Sequence, residues 1–122
     1  MTYLNKPRTD RASFEKVAPN VVRALSMLEK AVEDSGLEKT LTELIKIRAS
    51  QINGCAFCIQ YHLNIARKVG LASEKMNLVA AWRDTGIFCE RERAAMAWTE
   101  ALTRMSHQHV SDIVASQGMS AA

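Results

Sequence analysis

Apolar residues recur at helical spacing along almost the whole of this chain, and no segment shows the two-residue alternation of a strand. That periodicity predicts an all-α fold, a small helical bundle cut into segments by glycines and other turn formers. Pro19 suits the first turn of a helix running to about residue 34. Val21, Val22, Leu25, Leu28 and Val32 form its apolar stripe, and Gly36 is its stop. A second helix, about residues 38–52, carries Leu41, Leu44, Ile45, Ala49 and Ile52 on one side and ends at Asn53-Gly54. A third starts near Cys55 and runs to about residue 69, with Gly70 as its C-cap. Ser73 is expected to cap a fourth helix through Trp82, closed by Thr85-Gly86. A fifth spans about residues 90–105, with a stripe of Ala94, Ala97, Trp98, Ala101, Leu102 and Met105. Residues 1–12 read as an extended arm, with Ser13 capping a short turn from Phe14. Residues 13–110 read as one helical domain, and residues 111–122 as a tail, truncated or disordered, with little to pack.

Charge and cysteine usage narrow the function classes. The basic residues are scattered, and their only close cluster, Arg91 and Arg93, is interleaved with Glu90 and Glu92. A nucleic-acid footprint needs a concentrated basic face, so no nucleic-acid partner is expected. No apolar run approaches the ~18 residues of a membrane span, and the polar start lacks the apolar stretch of a secretory signal. The expected location is the cytoplasm. Three cysteines are too few, and odd in number, for a secreted disulfide framework. In a cytoplasmic chain, two of them closely spaced point to catalysis, redox cycling or metal.

The segment Cys55-Ala56-Phe57-Cys58-Ile59-Gln60-Tyr61-His62 follows Asn53-Gly54 directly. On a helix Cys58 and His62 lie about 40° apart and Cys55 falls about 60° from Cys58, so all three share a face. Ile65 and Val69 continue that face, while Gln60, Asn64, Arg67 and Lys68 mark the other. A helix start favours the thiolate, the reactive form of cysteine, by presenting unpaired N–H groups and the positive end of the dipole. A histidine one turn further on can take the proton or pair with the thiolate. Two cysteines three apart on a first turn are also close enough to form a disulfide after local adjustment. The constellation supplies an attacking thiol, a resolving thiol and a base. The residue types leave two other readings open. One is a pair of small core cysteines beside a hydrogen-bonded core histidine. The other is a zinc-stabilised binding module in which Cys55, Cys58 and His62 are joined by Cys89 or Glu43, although the second close ligand pair usual in such a site is absent. A thioredoxin-like scaffold does not fit, because a helix rather than a strand precedes the cysteines.

Glu43 lies twelve residues before Cys55 and completes the pattern Glu-x11-Cys-x2-Cys-x3-His. This resembles the alkylhydroperoxidase D-like domain of the carboxymuconolactone decarboxylase family. The stretch after Leu41, TELIKIRASQINGCAFCIQYHLNIARKVG, and the segment Ala97-Trp98-Thr99-Glu100-Ala101-Leu102-Thr103 share in the resemblance, which covers approximately residues 10–110. It implies an all-helical, cofactor-free thiol peroxidase or disulfide reductase of peroxiredoxin type, assembled into trimers or hexamers. By the same resemblance Cys58 attacks the hydroperoxide and becomes a sulfenic acid. Cys55 condenses with it to form a disulfide, and Glu43 and His62 relay protons. The implied reductant is an external dithiol, lipoyl-type or thioredoxin-like. Two departures stand out. Phe57 occupies the place where the best-known peroxidase has a histidine, immediately before the second cysteine. The family also commonly continues into a further helical segment, whereas this sequence stops at Ala122, which implies a truncated version or neighbours that cover the core. A decarboxylase of the same family is the rival enzyme, but it has no need for two cysteines beside His62.

Without the resemblance, Glu43 reads as part of a solvated ion-pair face, with Lys39 four residues before it and Lys46 three after. Cys89 sits where a helix cap would, and a packed or capping role is expected. His107 and His109 read as parts of an exposed loop. Trp82 and Trp98 read as core or interface residues, and the six methionines as packing. The helices from Cys55 and Ser73 are apolar over more than half their circumference, more than one small bundle can cover, so subunit contacts are expected.

Overall fold

The computed structural model describes residues 10–105. The arm before residue 10, the tail at 111–122, His107 and His109 lie outside the described residues. Among the described residues all regular structure is helical: α1 (Arg11–Val17), α2 (Pro19–Glu33), α3 (Lys39–Ile52), α4 (Ala56–Lys68), α5 (Ser73–Leu78), a 3-10 segment (Val79–Asp84) and α6 (Glu90–Thr103). No helix among them is long and apolar enough to cross a membrane. The chain divides after Gly36 into two units.

In the first unit, Asp10 rather than Ser13 caps α1. Its carboxylate accepts the Ser13 backbone N–H at 2.7 Å, and hydrogen bonding from Ser13 holds it below the usual aspartate range. Helical backbone therefore begins at Arg11, two residues inside the stretch read as an extended arm. A carboxylate at the N-cap both accepts an orphan N–H and meets the positive end of the dipole, an advantage serine lacks. Pro19 opens α2 as expected. The stripe on α2 is not core, however: Val21, Leu25, Leu28 and Val32 all remain exposed, and no residue of either helix is buried.

The second unit holds the core. α3 lies against both α4 and α6, and the buried cluster joins Leu44, Ile47, Ala66, Leu71, Met76, Val79, Trp82, Phe88 and Met96. Gly54 and Gly70 end α3 and α4 with φ of 64° and 88°, conformations that cost a β-carbon-bearing residue about 1 kcal/mol or more. The fourth expected helix departs from a single rod. α5 stops at Leu78, Ala81 has non-helical φ and ψ, and the chain continues as 3-10 turns to Asp84. Met76, Val79 and Trp82 are buried at a spacing of three, the period at which side chains align in a 3-10 helix. Arg93 donates to the free carbonyls at Trp82 and Thr85, at 3.0 and 2.9 Å.

α6 presents a different side from the one its apolar residues suggest. The buried residues are Ala95, Met96, Thr99, Glu100 and Ala101. Ala94, Ala97 and Trp98 are half-buried, and Leu102 and Met105 are exposed. Glu100 decides the rotation. It accepts hydrogen bonds from Arg48 Nε and Trp82 Nε1, both at 2.9 Å, and is paired with Arg83 as well. Burial pushes its carboxyl up, but the bonds from Arg83, Trp82 and Arg48 outweigh this and hold it below the usual glutamate range. The guanidinium of Arg83 also lies over the Trp82 ring, 4.1 Å from the centroid. α3, the 3-10 segment and α6 therefore meet on one carboxylate.

Candidate functional site

Gly54 turns the chain sharply at the end of α3, and Cys55 follows with extended backbone as the N-cap of α4. Its side chain folds back over the first turn. Cys55 and Cys58 are joined by a disulfide, with Cα atoms 5.2 Å apart. The Cys58 backbone N–H donates to Cys55 Sγ at 3.2 Å, filling the capping role that an oxygen usually plays. This helix-start N–H is directed at the Cys55 sulfur rather than at that of Cys58.

Glu43 projects from the side of α3 that packs against α4, one turn before Ile47. It is 1% exposed, so the solvated ion-pair face expected from its neighbours is overturned, although one of those neighbours does engage it. Oε2 lies 2.9 Å from His62 Nδ1, and Oε1 lies 3.5 Å from Lys46 Nζ. An ionised carboxylate can only accept, so with Glu43 in that form the Nδ1–H tautomer is the one that donates in this bond. Nε2 is then the ring nitrogen left to exchange protons. His62 sits one helical turn beyond Cys58 on α4. The four residues of the sequence pattern are thus brought together by one helical hairpin, α3–α4.

Phe57 and Tyr61 stack on each other, with ring centroids 5.9 Å apart, and are 78% and 51% exposed. Tyr61 also meets the His62 ring edge-on, at 5.2 Å. Cys89 is a free, exposed thiol at the N-cap of α6, and the Glu92 carboxylate accepts its backbone N–H at 3.3 Å, in keeping with the expected capping role. Among the described residues no group of three or more His, Cys, Asp or Glu is arranged to hold a metal ion. The sequence reading missed the Glu100 cluster entirely. Arg48 and Glu100 are 52 residues apart, and nothing local marks either as buried.

The model of the carboxymuconolactone decarboxylase family matches residues 19–101. This chain belongs to that family. The chain is 36% identical to the uncharacterized protein YdfG of Bacillus subtilis over 104 residues, 85% of this chain and 71% of YdfG. It is 32% identical to the uncharacterized protein YnjA of Escherichia coli over 68 residues, 55% of this chain and 37% of YnjA. Among solved structures it is similar to ATU0492 of Agrobacterium tumefaciens, with a TM-score of 0.80 and 36% identity, covering 89% of this chain and 75% of that one. ATU0492 is described as a protein of unknown function for which a role in antioxidant defence, as AhpD, has been suggested. Among the described residues the chain is all-α, with six α-helices, and it resembles the AhpD-like structure of ATU0492.

Proposed function

We propose that this chain is a thiol-dependent peroxidase and disulfide oxidoreductase that works through the Cys55–Cys58 couple. The observation that carries the reading is the disulfide at the start of α4, one turn from a histidine whose other nitrogen is bonded to a buried carboxylate. The antioxidant role suggested for the AhpD-like relative supports it.

In the reduced enzyme, His62 Nε2 takes the Cys58 proton and leaves a thiolate. The Cys58 sulfur attacks the outer oxygen of a hydroperoxide. The S–O bond forms as the O–O bond breaks, and the departing alkoxide takes the proton back from His62 to leave as an alcohol. Cys58 is now a sulfenic acid. The Cys55 thiolate attacks that sulfur. The S–S bond forms as the S–O bond breaks, and hydroxide leaves as water after protonation. An external dithiol, lipoyl-type or thioredoxin-like, reduces the disulfide by exchange and is itself oxidised. Glu43 holds the imidazole in the tautomer that makes Nε2 the exchanging nitrogen. The metal-free, cofactor-free character implied by the resemblance belongs to this proposal, as do a homo-oligomeric assembly, a trimer or hexamer, and a cytoplasmic location.

The test is peroxide consumption by purified protein with dihydrolipoamide, thioredoxin and glutathione compared as electron donors. Turnover with a dithiol, abolished by Cys58→Ser, is expected. Peroxide consumption indistinguishable from the uncatalysed rate with all three donors would overturn the proposal.

A further inference from the structure

We propose that Phe57 and Tyr61 form the contact surface for the reductant of the Cys55–Cys58 disulfide, and that this surface selects a dithiol carried on an uncharged hydrocarbon chain. The inference rests on the reading of Cys55–Cys58 as a redox couple and names the residues that choose its electron donor. Phe57 stands between the two cysteines in the chain, and Tyr61 follows one helical turn later on the same side of α4. Their rings stack at 5.9 Å, 19° from parallel, and the Tyr61 ring meets His62 edge-on. An aromatic strip therefore leads from the disulfide segment to the histidine. Both rings are exposed, although rings of this size gain by leaving water.

The surroundings of the strip narrow what can lie on it. Residues 49–66 contain no Asp, Glu, Lys or Arg, the longest such run in a chain whose residues are 24% charged. Within the run Asn53, Ala56, Gln60 and Asn64 are exposed and neutral, and Gln60 donates to Asn64 at 3.0 Å. Arg67, the first cation after it, also bonds Asn64. A thiol on a charged carrier meets no counter-ion along this stretch, whereas a hydrocarbon chain meets two rings.

The state of the cysteines decides the occupant. The surface described is that of the disulfide form, and a disulfide reacts with a thiolate. Phe57 adjoins Cys58, with Cα atoms about 3.8 Å apart, so a carrier of several carbons attached at that sulfur reaches the ring. A second copy of this chain seated on the rings would also crowd the sulfurs and shut out any donor. In the reaction, one reductant sulfur attacks the couple, and its S–S bond forms as the Cys55–Cys58 bond breaks. The second reductant thiol, giving up its proton, attacks its neighbour sulfur in the mixed disulfide and frees the other cysteine. Two electrons and two protons pass to the cysteine pair, and the reductant leaves as its own disulfide.

The experiment starts from oxidised protein without peroxide and follows loss of the disulfide by acid quenching, alkylation and mass spectrometry. Dihydrolipoamide is the dithiol with a hydrocarbon carrier, dithiothreitol the dithiol without one, and glutathione the charged thiol. Wild type should react most slowly with glutathione. Phe57→Ala is expected to lower the ratio of the dihydrolipoamide rate to the dithiothreitol rate about tenfold, and Tyr61→Ala about threefold. Phe57→Tyr should keep the ratio. Neither alanine removes core packing, because both rings are exposed. A ratio unchanged in both alanine variants overturns the inference, as does a Phe57→Tyr protein that loses it or a glutathione rate equal to that of dihydrolipoamide. In parallel the reduced proteins are treated with cumene hydroperoxide and with hydrogen peroxide. Alanine variants that alter only the preference between these two would give the rings to the peroxide and overturn the inference. Variants that change the assembly state by light scattering and leave the ratio alone would give the rings to a subunit contact, with the same result. The reduction assay needs no peroxide turnover, so a protein inactive towards peroxides would sink the peroxidase reading and leave this selectivity standing.

Discussion

The two cysteines differ at the level of single atoms. Cys58 has His62 one turn away, whereas Cys55 Sγ receives the Cys58 N–H. The proposal gives them different duties, and mutants separate these. Cys58→Ser should neither reduce peroxide nor yield a sulfenic acid. Cys55→Ser should react once and stop at sulfenic acid, or proceed to sulfinic acid, because no resolving thiol remains. A sulfenic-acid trap read by mass spectrometry checks this. Labelling of Cys55 in the Cys58→Ser protein, with none in the reverse mutant, would exchange the two roles. His62→Ala should slow alkylation of the reactive thiol at neutral pH; a rate unchanged across about pH 5 to 9 would remove His62 from the mechanism. Glu43 shows the limit of local reading. Its neighbours Lys39 and Lys46 signal a wet helix face, and only the long-range match to the family pattern signalled its burial.

Among the elements, the helices that end at a glycine were the legible ones. Gly36, Gly54 and Gly70 all have φ between 64° and 89°, and each stops the helix that its sequence position predicted. Two elements were not legible, for related reasons. α6 turns a side bearing Thr99 and Glu100 inward, and apolar counting cannot foresee that a carboxylate will find Arg48, Trp82 and Arg83 waiting. The rod expected from Ser73 to Trp82 changes to 3-10 turns, in which Trp82 is buried and bonds the same carboxylate. This cluster has a pH signature. The Glu100 carboxyl is lowered on folding, so its contribution is fully present above the unfolded value of about 4.3 and is lost as pH falls through the lower folded value. Glu100→Gln should cost about 3 kcal/mol at neutral pH, because Arg48 is left buried without its counter-charge. It should also flatten the acid side of the stability curve. Urea midpoints measured from neutral to acid pH give both numbers.

At the scale of the whole molecule, the redox residues and the exposed apolar stripe fall in different units. α3 and α4 supply all four residues of the pattern, and α2 supplies none. Leu25 and Leu28 on α2 are 58% and 63% exposed, and Leu102 and Met105 at the end of α6 are exposed too. The sequence placed surplus apolar surface on α4 and α5. Phe57, Tyr61 and Leu78 do show some there, but the longer exposed stripe is on α2. Large exposed apolar stripes are among the surfaces that serve as contacts between chains. We expect a trimer or a multiple of three by light scattering, the number coming from the family resemblance. Leu25→Glu combined with Leu28→Glu should shift the population towards monomer. A wild-type protein that stays monomeric at micromolar concentration would defeat the expectation.

One sulfur both closes the disulfide and holds the first amide of α4 that points at it. Each redox event is therefore written onto a single backbone proton. In a two-dimensional amide spectrum the Cys58 cross-peak becomes an internal gauge: its position follows the charge and bonding of Cys55 Sγ, while amides of α6 stay still. Titrated against a thiol–disulfide buffer, that one peak reads the reduction potential of the couple without any substrate, dye or coupled enzyme.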